Sequence, residues 1–130
     1  MGMQYLRSSL AASAQRGAWI RLLTTDLEDA SAWNRKAIAA LIADEDGALV
    51  RNRLRVLAPS KNLPALIHAK IILADHCRGY LGSANLSQSA MDSNLELGLS
   101  LDPSQVSALE SLISLLEAQN LIVDCTASVC

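Results

Sequence analysis

His68 and Lys70 stand two residues apart in a stretch of apolar residues, so on a β-strand an imidazole and an ammonium leave the same face of a sheet. Ser83-Ala84-Asn85 repeats that spacing at the end of the next apolar stretch. Glu96 lies inside Asn94-Leu95-Glu96-Leu97-Gly98, where a carboxylate among apolar neighbours needs a partner, because a lone buried charge is expensive. The expected partner is His68. Together these residue types suit a phosphodiester: an imidazole as nucleophile or acid, a fixed cation, and hydroxyl and amide donors for the non-bridging oxygens. A carboxylate on one ring nitrogen would fix the tautomer and leave the other nitrogen's lone pair free to attack phosphorus. The scheme requires no metal ion and no cofactor.

A His-x-Lys pair by itself is more often a polar strand edge than a catalytic centre. Here the whole pattern His68-x-Lys70-x4-Asp75-x6-Gly82-Ser83-x-Asn85 resembles the HKD signature of the phospholipase D superfamily in every position and spacing, and Glu96 fits downstream. Residues 10–23 are similar to the helix, Arg-Gly turn and strand that precede HKD sites, so the resemblance covers roughly residues 4–120. It implies that a histidine attacks phosphorus to form a phosphohistidine, that a second histidine from another HKD motif protonates the leaving oxygen, and that water or an alcohol completes the transfer. By that resemblance His68 is nucleophile or acid. Asp75 completes the motif, in a role of starting a turn and shaping local electrostatics.

One imidazole cannot both attack and donate a proton. His76 is the only other histidine and lacks the His-x-Lys context. A homodimer, or a second HKD-containing chain, is therefore the expected source of the second histidine. Family halves usually begin with a strand-rich segment, whereas this chain starts almost directly on its first helix, as a truncated product or fragment would.

The elements that must position these residues follow from periodicity and turn chemistry. Helical spacing predicts a helix over residues 4–16 stopped by Gly17, then a strand over 18–24 and an acidic loop at 26–29. A second helix is predicted over 31–43, closed by an Asp44-Glu45-Asp46-Gly47 turn, with a strand over 51–58. Residues 66–74 and 78–82 read as a hairpin around Asp75-His76-Cys77, residues 87–92 as a helical turn, 95–101 as a strand, and 104–119 as a closing helix introduced by Asp102-Pro103. This is an α/β chain: a phospholipase D-like α-β-α sandwich half with a mixed β-sheet, in one domain over residues 1–130.

Bulk composition narrows the function. The chain is 51% hydrophobic, enough for a core, with two Trp, two Tyr and no Phe, so platforms for stacking bases are scarce. Trp19 and Trp33 read as packing residues. The net charge of −2 argues against a protein that coats duplex DNA, but all 11 Lys and Arg lie at or before Arg78, where seven acids leave a balance of +4. On the predicted strand, Arg51, Arg53 and Arg55 share one face and could track a phosphate backbone, or could equally be a solvated edge. Three cysteines without metal-ligand spacing, no long apolar run and no signal-peptide pattern give a reduced, cytoplasmic chain with no transmembrane segment as the expectation.

Three functions remain open. The first is a metal-independent phosphodiesterase of nuclease type, resembling the small homodimeric bacterial endonucleases of the superfamily. The second is a phospholipid hydrolase or phosphatidyltransferase, such as a cardiolipin synthase half, because the same motif serves lipids. The third is a non-catalytic HKD module within a nucleic-acid defence or repair assembly.

Overall fold

In chain order the computed structural model has α1 (Gly2–Gln15), β1 (Ile20–Leu23), α2 (Ser31–Leu41), α3 (Asp44–Arg51), β2 (Leu54–Pro59), β3 (Ile71–Ala74), β4 (Arg78–Gly82), β5 (Gly98–Leu101), α4 (Pro103–Ala118), β6 (Ile122–Asp124) and α5 (Thr126–Val129). It describes residues 2–24, 31–61, 63, 68–83 and 93–129; the predicted loop at 26–29, the predicted turn at 87–92 and Asn85 lie outside them. The class is α/β, as the sequence predicts.

Strand β2 is the centre of the first sheet, parallel to β1 with Ile20 opposite Leu54 and antiparallel to β6 with Leu57 opposite Asp124. This is the mixed sheet. Alternate β2 side chains leave opposite faces. Leu54, Val56 and Ala58 pack with Ala11, Ile38, Leu41 and Val50 of the first three helices and with Ile42 between α2 and α3. On the other face Arg55, with Arg21 beside it in register, reaches Glu117 of α4 at 3.2 and 3.3 Å. Helices therefore cover both faces.

The ends of α1 and α4 follow directly from residue chemistry. Gly17 takes a φ of 92°, its amide bonds the Ala14 carbonyl at 2.9 Å, and the Ala18 amide bonds the Ser13 carbonyl at 3.0 Å. That pair of bonds closes a helix around a left-handed residue, the conformation glycine adopts at least cost. At the other end of the chain Asp102 caps α4, accepting from the Ser104 and Gln105 amides while the Gln105 side chain accepts from the Asp102 amide, with Pro103 in the first turn.

Three expectations need correction. Residues 44–47 are not a closing turn but the start of α3. Glu45 lies in the first turn, at the helix's positive end. Gly47 is required inside it because a Cβ there would overlap the Ile42 backbone where α2 gives way to α3. That helix pushes the strand start to Leu54, so Arg51, Arg53 and Arg55 form no stripe. Arg51 ends α3 and bonds the Ile42 carbonyl at 3.4 Å, Arg53 lies in a turn with its guanidinium 5.1 Å from the Trp19 ring centroid, and Arg55 pairs with Asp124 and Glu117. Trp19 is 67% exposed against Arg53 rather than packed in the core. The side chain of Trp33 lies outside the described residues.

Strand β6 and α5 have no counterpart in the sequence reading. The segment is fastened to β2 by side chains: Arg55 Nε donates to Asp124 Oδ2 at 2.9 Å, the Thr126 hydroxyl and amide donate to Asp124 Oδ1, and the Val56 amide donates to Thr126 Oγ1 at 2.8 Å. The Thr126 bonds first, and Arg55 after them, hold the Asp124 carboxyl well below the usual carboxylate range, at about 2. A carboxyl depressed on folding contributes stability that is complete above its unfolded value, about 4, and is lost as pH falls through about 2. The stability gap between the wild-type chain and Asp124→Asn, read by urea unfolding, is thus expected to hold steady from pH 7 to about 5 and to close towards pH 2. Solvent exposure of the pair keeps that gap small.

The second sheet is the antiparallel meander β3-β4-β5. Its hairpin turns where the sequence places it: Asp75 and His76 both have a φ of 56°, and the Cys77 amide bonds the Ala74 carbonyl at 3.2 Å. Two consecutive left-handed residues match the twist of a hairpin, and the short polar side chains tolerate that conformation. His76 Nδ1 lies 2.9 Å from Glu110 Oε1, so α4 ties both sheets, through Glu110 to the hairpin and through Glu117 to Arg21 and Arg55. Among the described residues no helix is long and apolar enough to cross a membrane.

Candidate active site

The site is assembled at the end of the second sheet opposite the hairpin turn. His68 and Lys70 immediately precede β3, and the Gly82 amide bonds the Lys70 carbonyl at 3.1 Å, which extends the β3-β4 pairing by one residue. Lys70 Nζ lies 2.7 Å from His68 Nε2 and 3.1 Å from Nδ1. An ammonium has only protons to give, so it engages whichever ring nitrogen carries the lone pair. That is the pair of electrons a nucleophilic histidine must free. An incoming phosphodiester, whose oxygens compete for the same ammonium, would draw Lys70 off the ring and expose it. His68 is exposed and Lys70 half-buried.

Ser83 and Glu96 form the second group. Ser83 Oγ donates to Glu96 Oε2 at 2.5 Å and accepts from the Leu97 amide at 3.1 Å, while the Ser83 amide bonds the Leu97 carbonyl at 2.9 Å. Asn94 Nδ2 donates to Glu96 Oε1 at 3.4 Å. Glu96 is therefore partnered by Ser83 and Asn94, which corrects the expectation that its partner is His68. The reason is strand order. His68 leads into β3 and Glu96 into β5, with β4 between them, so the carboxylate meets Ser83, which directly follows β4. Asn94 has no place in the sequence reading, since nothing distinguishes it there from an ordinary turn asparagine.

The remaining candidates separate from this cluster. Asp75 sits in the hairpin turn, about 15 Å along β3 from Lys70, where it shapes the turn, and no hydrogen bond joins it to the other described site residues. Arg51, Arg53 and Arg55 belong to the first sheet and the turn before it, with their guanidinium groups on Ile42, Gly17, Asp124 and Glu117. Asn85 lies outside the described residues. What comes together is an imidazole, an ammonium, a hydroxyl and a carboxylate at one sheet end: a nucleophile candidate, a cation for phosphate oxygens, and a hydrogen-bonded support.

A family model described as the phospholipase D-like domain of cardiolipin synthase matches residues 2–114, most of the chain and all of the elements that carry this cluster. No curated protein and no solved structure gives a significant match. The extent of the family match, over a fold that brings His68, Lys70 and Ser83 to one sheet end and leaves Asp75 in the hairpin turn at the other, places the chain in the phospholipase D superfamily, with the breaking or exchange of phosphodiester bonds as its class of activity.

Proposed function

We propose that the chain is a metal-independent phosphodiesterase of nuclease type that acts through a phosphohistidine on His68 and completes its site with a second copy of itself. The observation that carries this reading is the contact of Lys70 with the His68 ring, at the same sheet end as the Ser83–Glu96 pair. His68 attacks phosphorus, the P–O bond to the leaving group breaks, and that oxygen takes a proton from His68 of the second copy. Water then attacks phosphorus and the P–N bond to His68 breaks, while the same second imidazole takes the water's proton, which releases a phosphomonoester and restores both rings. The other histidine of this chain does not serve, because His76 lies at the far end of the hairpin against Glu110.

The basic balance of residues 1–78, +4, favours a polyanionic substrate. A second reading, lipid hydrolysis or phosphatidyl transfer, is favoured by the description of the matching family and by Leu95, Leu97 and Leu99, which flank Glu96 at 93, 75 and 70% exposure and would suit an acyl surface. A side-by-side assay in EDTA separates the two. The nuclease reading predicts cleavage of DNA or RNA that weakens steeply with salt, whereas activity confined to phospholipid vesicles would transfer the assignment to lipids. Mixing the wild-type chain with His68→Asn after unfolding and refolding together tests the shared site: activity should fall as the square of the wild-type fraction, and a linear fall would mean that each copy works alone. A folded dimer with no turnover on any of these substrates would leave a non-catalytic HKD module.

A further inference from the structure

We propose that Tyr80 is a further residue of this site, its hydroxyl donating to a non-bridging oxygen of the bound phosphodiester; the proposal rests on the phosphodiesterase reading. The sheet register puts Tyr80 on the central strand, on the same face as Gly82 and, across from it, Gly98. A Cβ at either glycine would overlap the Tyr80 ring edge and hydroxyl, so the ring lies along β4 with Oη carried over Gly82, towards the end of the sheet where the site is. Lys70 is bonded to Gly82 on one side. On the other, the Leu97 carbonyl lies 2.7 Å from the position a Gly82 Cβ would take, and this is the carbonyl that accepts from the Ser83 amide. The hydroxyl is thereby carried over Gly82 on the face of the sheet that the register also gives Lys70.

Two further observations point to a ligand. Glycine weakens a strand, and two of them facing each other at the end of a sheet mark a close approach. Here the approaching group is the phenol, so the pair makes the slot that lays Tyr80 towards the site. The hydroxyl also makes no hydrogen bond to the described residues, although Tyr80 is half-buried, and it is not sealed from solvent. A phenol held in this way keeps a donor ready for an oxyanion, and such preorganised donors act strongly where charge develops.

The test uses inorganic phosphate as the probe, with Tyr80→Phe, which keeps the ring over the glycines and removes only Oη. Isothermal titration is expected to show phosphate binding weakened about tenfold or more, as for loss of a hydrogen bond to a charged group. Turnover of bis(p-nitrophenyl) phosphate is expected to fall about 10- to 100-fold, chiefly in kcat, with the thermal midpoint unchanged. The chain has two tyrosines, so the carbon-13 resonance of the Tyr80 ring carbon bearing oxygen can be followed against that of Tyr5, and only the first should move when phosphate is added. Gly98→Ala, which displaces the ring but keeps the phenol, should weaken phosphate binding in the same way. Unchanged binding in Tyr80→Phe, while Lys70→Met weakens it, would overturn the role of Tyr80 and leave the site standing. Absence of phosphate binding by the wild-type chain would overturn both.

Discussion

Replacing His68 with Asn is expected to lower turnover of bis(p-nitrophenyl) phosphate in EDTA by at least about a thousandfold, towards the range of 10³ to 10⁶ seen when a hydrolase loses its nucleophile. The substitution keeps a polar side chain of similar reach but removes the ring nitrogen that would bond to phosphorus, and an amide is no substitute as a nucleophile. In a shared site it removes the proton donor as well, because each copy supplies both roles. Stability should hardly change: His68 is exposed, and among the described residues its hydrogen-bond partner is Lys70. Retained turnover in a folded variant would move the chemistry elsewhere.

The next largest effect is expected at Lys70. Lys70→Met keeps much of the stem and removes the charge, and should cost about 10²- to 10³-fold in kcat, the scale for removing one group that stabilises charge developing at the reacting centre. The loss should appear in kcat more than in KM if the ammonium transfers from the His68 ring to a phosphate oxygen as the reaction proceeds. Lys70→Arg should restore part of it, since the charge returns in a planar group that cannot reproduce a point contact 2.7 Å from Nε2. A fall in phosphate affinity with kcat intact would instead make Lys70 a binding residue alone.

Where local chemistry decides structure, the sequence is easily read. Gly17 after α1, Asp102-Pro103 before α4 and the polar turn at Asp75-His76-Cys77 each supply the residue that their backbone geometry requires, and each marks the element boundary within a few residues. The pairing of His68 with Lys70 is likewise visible as a two-residue spacing. What is hidden depends on contacts between distant segments. Gly47 looks like a turn residue until the Ile42 backbone is beside it, and with α3 misread as turn and strand the arginines seem to line up. Strand β6 is three residues long, too short for a pattern, and is held through Asp124 and Thr126 by β2, far away in sequence. Glu96 is the clearest case: its need for a partner is evident from its apolar neighbours, but which partner depends on β4 lying between β3 and β5, and strand order is not written in any local spacing.

The most direct test is to catch the covalent intermediate. The wild-type chain mixed with bis(p-nitrophenyl) phosphate in EDTA, quenched in alkali during the first turnovers and digested for mass spectrometry, is predicted to carry a nitrophenyl phosphoryl group on the peptide containing His68, stable to base and lost in acid, formed as fast as nitrophenol appears. Turnover with no adduct on His68, or with the adduct on Ser83 or His76, would contradict the account.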